Sequence, residues 1–212
     1  MITVVGSLKG GSGKSTLAFN LGVWLELADL SVALIDADPQ ATLSDVVEVR
    51  SEEGFKPRLK VSGAEALVED LASLADEVLI DVGTADMQAM GKALSLADRV
   101  VMPVPPSQAD VWSAQRFLKL VNDSVSGQAP EIVCFINRGD THRSVRETDE
   151  AAAALISLPG VRFLKARLAQ RTVYRRSFSE GLAVFELERR GKGARELLSL
   201  CATLYPQVVS PS

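Results

Sequence analysis

Residues 2–16 have the sequence ITVVGSLKGGSGKST. This composition restricts the local structures that the segment can form. Its first part, Ile2 to Val5, is an apolar, β-branched run, which predicts a buried strand. A glycine-rich turn follows at residues 10–13, and the apolar-periodic stretch Leu17–Leu27 then predicts a helix. The segment therefore places a tight glycine turn between a strand and a helix.

The glycine turn has the composition of a phosphate-binding loop. Backbone N–H groups at the start of a helix point outward without partners, and the positive end of the helix dipole lies behind them. Glycines allow an anion to approach this backbone closely. Lys14 would reach the β- and γ-phosphates, and the Ser15 hydroxyl would ligate Mg²⁺. The segment therefore predicts a nucleoside triphosphate site, with a glycine turn that binds no phosphate as the alternative.

The loop departs from the pattern G-x-x-x-x-G-K-[ST], because Leu8 stands at its first position. It matches K-G-G-x-G-K-[ST]-[ST], which adds a second lysine, Lys9. On these residues the chain resembles the deviant Walker A ATPases of the ParA/MinD family. The resemblance implies ATP and Mg²⁺ as ligands and a nucleotide site made of Lys9, Gly10, Gly11, Ser12, Gly13, Lys14, Ser15 and Thr16.

Apolar strand-like runs alternate with helix-like stretches along the chain. The predicted strands are Ile2–Val5, Val32–Ile35, Val78–Val82, Val100–Val104, Ile132–Ile136 and Val161–Leu164. The predicted helices are Leu17–Leu27, Ala64–Leu74, Val111–Val121, Val145–Ile156, Arg171–Glu180 and Lys192–Leu204, and segment 44–63 fits a short helix and an edge strand. This order predicts one α/β domain over residues 1–212, a P-loop NTPase fold with a mostly parallel sheet between two helical layers.

Carboxylates follow two of the predicted strands. Asp36 and Asp38 end the second strand, and their spacing of two residues points both side chains the same way. Asp81 ends the strand Val78–Val82 in a Walker B pattern, which holds Mg²⁺ through its water shell. Because buried charges are costly without a cation or a donor, we predict that Ser15, Asp36 and Asp81 form a magnesium site. The alternative for Asp36 and Asp38 is a solvated turn at Pro39.

Two later strand ends carry further candidates. In the resembled family, the proline-rich loop Pro103–Ser107 lies near the nucleotide and the dimer seam, although a plain connector has the same composition. Asn137 resembles the family's adenine-reading position, where an amide donates to and accepts from the purine edge, although asparagine also suits turns. Residues 82–85 depart from the Asp-x-Pro form of relatives in the loop that would sense the γ-phosphate.

The resemblance covers essentially the whole chain and implies an ATP-dependent homodimer that sandwiches two nucleotides. Lys9 would cross the interface to the partner's phosphates, Asp38 would orient the attacking water, and Asp36 would support Mg²⁺. With Lys14 on the phosphates, Lys9 and Asp38 form the predicted catalytic set. No residue is an obvious strong base, so hydrolysis is expected to be slow and stimulated by a ParB-like or cargo adaptor protein. Plasmid, chromosome and protein organelle all remain open as cargo.

The charge distribution indicates a second activity. Residues 1–137 hold 10 basic and 19 acidic groups, whereas residues 138–212 hold 13 basic and 8 acidic groups. No acidic residue interrupts the stretch 162–176, whose basic residues are Arg162, Lys165, Arg167, Arg171, Arg175 and Arg176. Such a stretch predicts salt-dependent DNA binding without sequence preference, and an ordinary solvated helix face is the alternative.

Other functional classes fit less well. A MinD-like membrane switch needs a basic amphipathic C-terminal helix, but residues 197–212 carry no charge. A redox enzyme needs cluster cysteines, whereas Cys134 and Cys201 lie far apart in apolar runs. A ligase of the dethiobiotin synthetase type shares the phosphate loop but leaves Lys9 unexplained. Without a signal sequence or a membrane-length apolar run, we expect a cytoplasmic, nucleoid-associated protein.

Overall fold

The computed structural model describes residues 1–68, 70–125, 127–141 and 146–208, and these contain a seven-stranded sheet. The strands are β1 Ile2–Val5, β2 Val32–Ala37, β3 Lys60–Gly63, β4 Glu77–Val82, β5 Arg99–Val104, β6 Glu131–Ile136 and β7 Arg162–Phe163. Their order across the sheet is β3-β2-β4-β1-β5-β6-β7, and every neighbouring pair is parallel. The predicted α/β fold is confirmed.

The central strand β1 is the point where the strand order reverses. It pairs with β4 on one side and β5 on the other, and the connection that leaves β1 covers one face of the sheet whereas the connection that leaves β5 covers the other. In open parallel sheets a crevice forms at the carboxyl end of such a strand, and ligands bind there. The glycine-rich segment leaves β1 at this position.

Helices cover both faces of the sheet, and each face has its own apolar core. The helices are α1 Lys14–Leu27, α2 Thr42–Glu52, α3 Met87–Leu96, α4 Gln108–Ser124, α5 Glu147–Ile156, α6 Thr172–Ser179, α7 Val184–Leu187 and α8 Lys192–Leu204. One core joins the sheet to α1, α2 and the C-terminal helices, and the other joins it to α3, α4 and α5. Burial on both faces explains why the strands read as continuous apolar runs.

The predicted helix Ala64–Leu74 is wrong. Two short 3₁₀ turns, Ala64–Ala66 and Leu71–Ser73, occupy this region instead. Leu67 and Leu71 are buried, whereas Leu74 is 53% exposed. Two anchoring side chains supply too little apolar burial to stabilise a helix, because most helical stability in proteins comes from packing one continuous face.

The sequence analysis assigned no helix to the region of α3, although a start signal precedes it. The Asp86 carboxylate accepts hydrogen bonds from the N–H groups of Gln88 and Ala89, at 3.0 and 2.9 Å, and so caps α3. Segment 44–63 contains the end of α2 and the edge strand β3, as predicted. The predicted start of the α5 helix at Val145 lies outside the described residues.

A buried arginine fixes the C-terminal helices against the rest of the fold. Arg50 on α2 is 1% exposed, and its guanidinium donates to the carbonyl oxygen of Gly181 and to both carboxylate oxygens of Glu186. Further donations go to the carbonyl oxygens of Lys56 and Pro57. These bonds satisfy a charge that would otherwise be costly to bury, and they tie α2 to the segment that leads into α7.

Candidate functional site

The loop after β1 presents free backbone donors at the start of α1. Gly11 and Gly13 have positive φ angles of 72° and 91°, which other residues adopt only at a cost. The residue before α1 is Gly13, which has no side chain to cap the helix, so the first N–H groups of α1 can serve a ligand. The hydroxyl oxygens of Ser7 and Ser12 lie 2.7 Å apart and tie the two ends of the loop together. The loop is therefore shaped to bind an anion.

Lys14 is a cation held in a poorly solvated position. Its side chain is 7% exposed, and its Nζ lies 3.5 Å from the carbonyl oxygen of Lys9. Burial lowers the pKa of Lys14, while the charges of Asp81 and Asp38 oppose this shift. A desolvated ammonium of this kind gains strongly from an anionic partner such as a phosphate.

The strand-end carboxylates lie beside this loop, as predicted. Asp81 pairs in register with Val5 on one side and with Asp36 on the other. Asp81 is fully buried, and neither of its carboxylate oxygens has a hydrogen-bond partner in the part of the chain that the structure describes. Burial raises the pKa of Asp81 to about 7, against the opposing influence of the Ser15 hydroxyl and Lys14.

An unpartnered buried carboxylate beside a hydroxyl fits a hydrated magnesium ion. Within the described residues, no group of three or more Asp, Glu, His or Cys side chains could hold a metal alone. Mg²⁺ usually keeps several waters and takes one or two protein ligands together with substrate phosphates. Ser15 and Asp81 match that ligand set.

Asp36 has a structural task that the sequence analysis missed. One carboxylate oxygen accepts from the backbone N–H and the hydroxyl of Ser44, at 2.8 and 2.9 Å. The other accepts from the N–H of Asp38 at 3.2 Å. Asp36 therefore holds the first turn of α2 and the turn after β2, and its assignment to Mg²⁺ stays a prediction.

Because Asp81 is buried, we predict that its ionisation lowers the free energy of unfolding of the protein without nucleotide or metal. Its pKa is raised in the folded state from 3.8 to about 7, so the stabilising protonated form is lost as pH rises through 7. We expect Asp81→Asn to raise the free energy of unfolding by about 4 kcal/mol at neutral to alkaline pH. The gain should shrink steadily as pH falls below 7. Urea denaturation across this range measures it.

Asp123→Asn is the matched control, because Asp123 is an exposed carboxylate on α4. It should change the unfolding free energy little at any pH. A gain for Asp81→Asn that is the same at acidic and alkaline pH would contradict the ionisation argument.

Two residues after β6 clamp the phosphate loop. The buried Asn137 donates from Nδ2 to the carbonyl oxygen of Ser12 at 2.6 Å. Arg138, with a φ of 57°, donates to the carbonyl oxygen of Gly11 and, at 2.7 Å, to Oε1 of Gln170. Arg138 was not among the predicted site residues, because no local sequence pattern marks it. The contact of Asn137 with the loop was not predicted, and its predicted reading of adenine stays a prediction.

Lys9 lies at the outer edge of the loop and forms an ion pair within its own protomer. Its Nζ is 2.8 Å from Oδ1 of Asp110, while its side chain is 47% exposed and that of Asp110 is 5% exposed. Ser107 caps α4 and hydrogen bonds to the second carboxylate oxygen of Asp110. The spacing S-x-x-D at a helix start is the signal that could have drawn attention to Asp110.

Four of the six predicted DNA-binding residues lie near acidic side chains. Arg162 pairs with Glu131, Arg167 with Asp149, Arg171 with Glu196, and Arg176 with Glu180 and Glu188. Lys165 and Arg175 are exposed, and within the described ranges neither forms an ion pair. Residues 162–176 contain no acidic residue, but the fold brings acidic side chains from other parts of the chain next to them.

A polar groove of about 420 Å³ opens beside this stretch. Arg171, Arg176 and Lys192 line it together with Glu188 and uncharged residues. The starts of α6 and α8 both border it. Three cations against one carboxylate make the groove net basic.

Known proteins share this architecture. Residues 3–184 match the domain family described as the CobQ/CobB/MinD/ParA nucleotide binding domain. The chain is 29% identical over 197 residues to "Maintenance of carboxysome distribution protein A" of Halothiobacillus neapolitanus. The matched region covers 91% of this chain and 90% of that protein.

Solved structures share the fold. A putative plasmid partition protein from Borrelia burgdorferi B31 bound to AMPPNP superposes with a TM-score of 0.74 at 19% identity, covering 98% of this chain and 99% of that one. The septum site-determining protein MinD of Pyrococcus horikoshii OT3, complexed with Mg-ADP, gives 0.73 at 21% identity, covering 96% and 94%. With a family match over residues 3–184 and a phosphate loop at the reversal point of a parallel sheet, the chain belongs to the CobQ/CobB/MinD/ParA family of nucleotide-binding domains.

Proposed function

We propose that this protein is an ATP-driven dimerising switch that binds DNA without sequence preference and positions a cargo. The proposal rests on two neighbouring buried groups. The carboxylates around Lys14 do not fully offset the cost of burying its charge, and the carboxylate oxygens of Asp81 have no hydrogen-bond partner among the described residues. A cation and a metal-binding carboxylate at one loop fit a magnesium-bound triphosphate and leave both groups satisfied when it binds.

Phosphate binding divides among named groups. The backbone N–H groups of residues 10–16 would surround the phosphates, and Lys14 would contact the β- and γ-phosphates. Ser15 and Asp81 would hold Mg²⁺, which when bound supplies charge neutralisation at the phosphate oxygens. Asn137 and Arg138 donate hydrogen bonds to carbonyl oxygens of the loop and hold its shape, so little reorganisation would be required on binding.

Lys9 provides the switch in this proposal. In the nucleotide-free protomer it pairs with its own Asp110. In the ATP dimer it would leave Asp110 and reach the partner's phosphates, where its charge would stabilise the transferring group as an arginine finger does. Asp38 would orient the attacking water. Because no stronger base stands there, hydrolysis would remain slow until an adaptor protein improves the geometry.

DNA binding is assigned to the basic surface around α6, including the groove lined by Arg171, Arg176 and Lys192. Four arginines of the predicted stretch already have acidic partners, so we infer that Lys165 and Arg175 contribute most of the available charge. Each protomer then offers few phosphate contacts, and dimerisation would raise affinity by placing two such surfaces on one body.

A DNA titration with ATP and with ADP tests this proposal. The double variant Lys165→Glu and Arg175→Glu should weaken binding of the ATP form at least about tenfold for any DNA sequence, since each lost phosphate contact removes counterion release. The slope of log affinity against log salt should flatten by roughly two units. ATP binding should survive, because among the described residues neither side chain is hydrogen-bonded or ion-paired to the phosphate loop.

Lys119→Glu with Arg116→Glu is the matched control. It makes the same residue changes at exposed positions of α4, on the other face of the sheet. The control should bind DNA like the unaltered protein. If both double variants lose affinity equally, net charge rather than this surface governs binding, and if the ATP form binds no DNA even at low salt, the DNA part of the proposal is wrong.

Membrane docking is not part of the proposal. Helix α8 buries Leu197, Leu200, Cys201 and Leu204 in the core, so these apolar side chains are already used for packing. In the described part of the chain, no helix has both the length and the apolar character needed to cross a bilayer. Carboxysome distribution, plasmid partition and septum placement, named for the relatives, leave the cargo class open.

A further inference from the structure

The carboxylate of Asp38 occupies the space that a side chain at position 83 would need. Gly83 is buried and directly follows β4. A Cβ built on Gly83 would overlap the carboxyl carbon of Asp38 and would lie 2.7 Å from its Oδ2. Because real Cβ atoms do not approach other heavy atoms this closely, any side chain at position 83 displaces Asp38 or the loop.

The turn that carries Asp38 defines the other side of its position. The Asp38 N–H donates to Asp36 at 3.2 Å, and its Oδ1 accepts from the N–H of Gln40 at 3.0 Å. Its charge also acts on the buried Lys14. The carboxylate is therefore held between its own turn and the bare backbone of Gly83, beside the lysine that would contact the phosphates.

We propose that Gly83 is a positioning residue for Asp38: its missing side chain allows the carboxylate to lie against the end of β4, in reach of the γ-phosphate. The inference rests on the proposed role of Asp38 in orienting water. Residue 83 is also where the sequence departs from the Asp-x-Pro form of the resembled family. A group that orients a nucleophile must be held closely, since displacement by about 1 Å can cost two orders of magnitude in rate.

Gly83→Ala tests the inference by filling the space with one methyl group. We expect kcat for ATP hydrolysis to fall at least about tenfold, while the KM for ATP changes less than about twofold, since the proposed binding contacts to the phosphates come from residues 10–16. In an Asp38→Ala background the overlap no longer exists. There the same Gly83→Ala change should alter neither the residual rate nor the melting temperature, although it should lower the melting temperature when Asp38 is present.

Gly91→Ala on α3 is the matched glycine control, because among the described residues outside its own helix the nearest atom to the new Cβ would be the Ser124 hydroxyl oxygen, at 4.0 Å. It should leave kcat unchanged. A normal kcat in Gly83→Ala, or an equal loss with and without Asp38, would overturn the inference. If Asp38→Ala itself hydrolyses ATP normally, the proposed role of Asp38 fails first. If Gly83→Ala does not fold, recovery of folding by adding Asp38→Ala supports the overlap, and failure to recover overturns it.

Discussion

Lys14→Ala is expected to lower the affinity for ATP at least about 100-fold, the largest single effect that the structure predicts. The change removes the cation that the buried site places beside the phosphates. It also leaves the phosphate charge near Asp38 and Asp81 without the ammonium on which both carboxylates act. Calorimetric titration with ATP and Mg²⁺ measures the effect.

The fold should survive this substitution, because Lys14 carries an unfavourable desolvation cost in the nucleotide-free protein. Unfolding experiments without nucleotide should therefore still show a cooperative transition. Lys119→Ala removes an exposed lysine from α4 and serves as the control for net charge. ATP affinity that is equal in the two variants would contradict the assignment of the loop as a phosphate site.

Lys9→Ala is expected to abolish the ATP-dependent dimer and to lower hydrolysis at least about 100-fold, as loss of a cation supplied in trans does in other phosphoryl-transfer enzymes. The Lys9 side chain is exposed and contacts its own Asp110. The monomer should therefore keep its affinity for ADP within about threefold, because this lysine is not needed to close the loop around its own nucleotide. Light scattering with ATP and with ADP measures the dimer.

Asp38→Ala provides the contrast. It should slow hydrolysis but preserve the ATP dimer, since it removes water orientation rather than a phosphate contact. The two variants together separate assembly from chemistry. A Lys9→Ala protein that dimerises and hydrolyses ATP normally would rule out the cross-subunit role, whatever the outcome for Asp38.

The sequence by itself determined the sheet and the identity of the loop. Continuous apolar strands between amphipathic helices require a parallel sheet buried on both faces, and all six predicted strands are present. Because such strands end at one edge, Asp36 and Asp81 could be placed beside the glycine turn before any coordinates existed. Positions along each strand were enough for this prediction, since side chains alternate between the two faces of a strand.

Only the tertiary structure decided which charges are available. The ion pairs of Lys9 with Asp110 and of Arg171 with Glu196 join residues 101 and 25 positions apart in the chain. The contact of Asp38 with Gly83 likewise depends on neighbouring strands, β2 and β4, that are not consecutive in the sequence. The prediction of a helix over Ala64–Leu74 was wrong because a helix must pack against another surface to be stable. The apolar periodicity of a sequence does not show whether such a surface exists. Folding brings distant groups within a few ångströms, where electrostatics and packing act, and sequence spacing carries no measure of that distance.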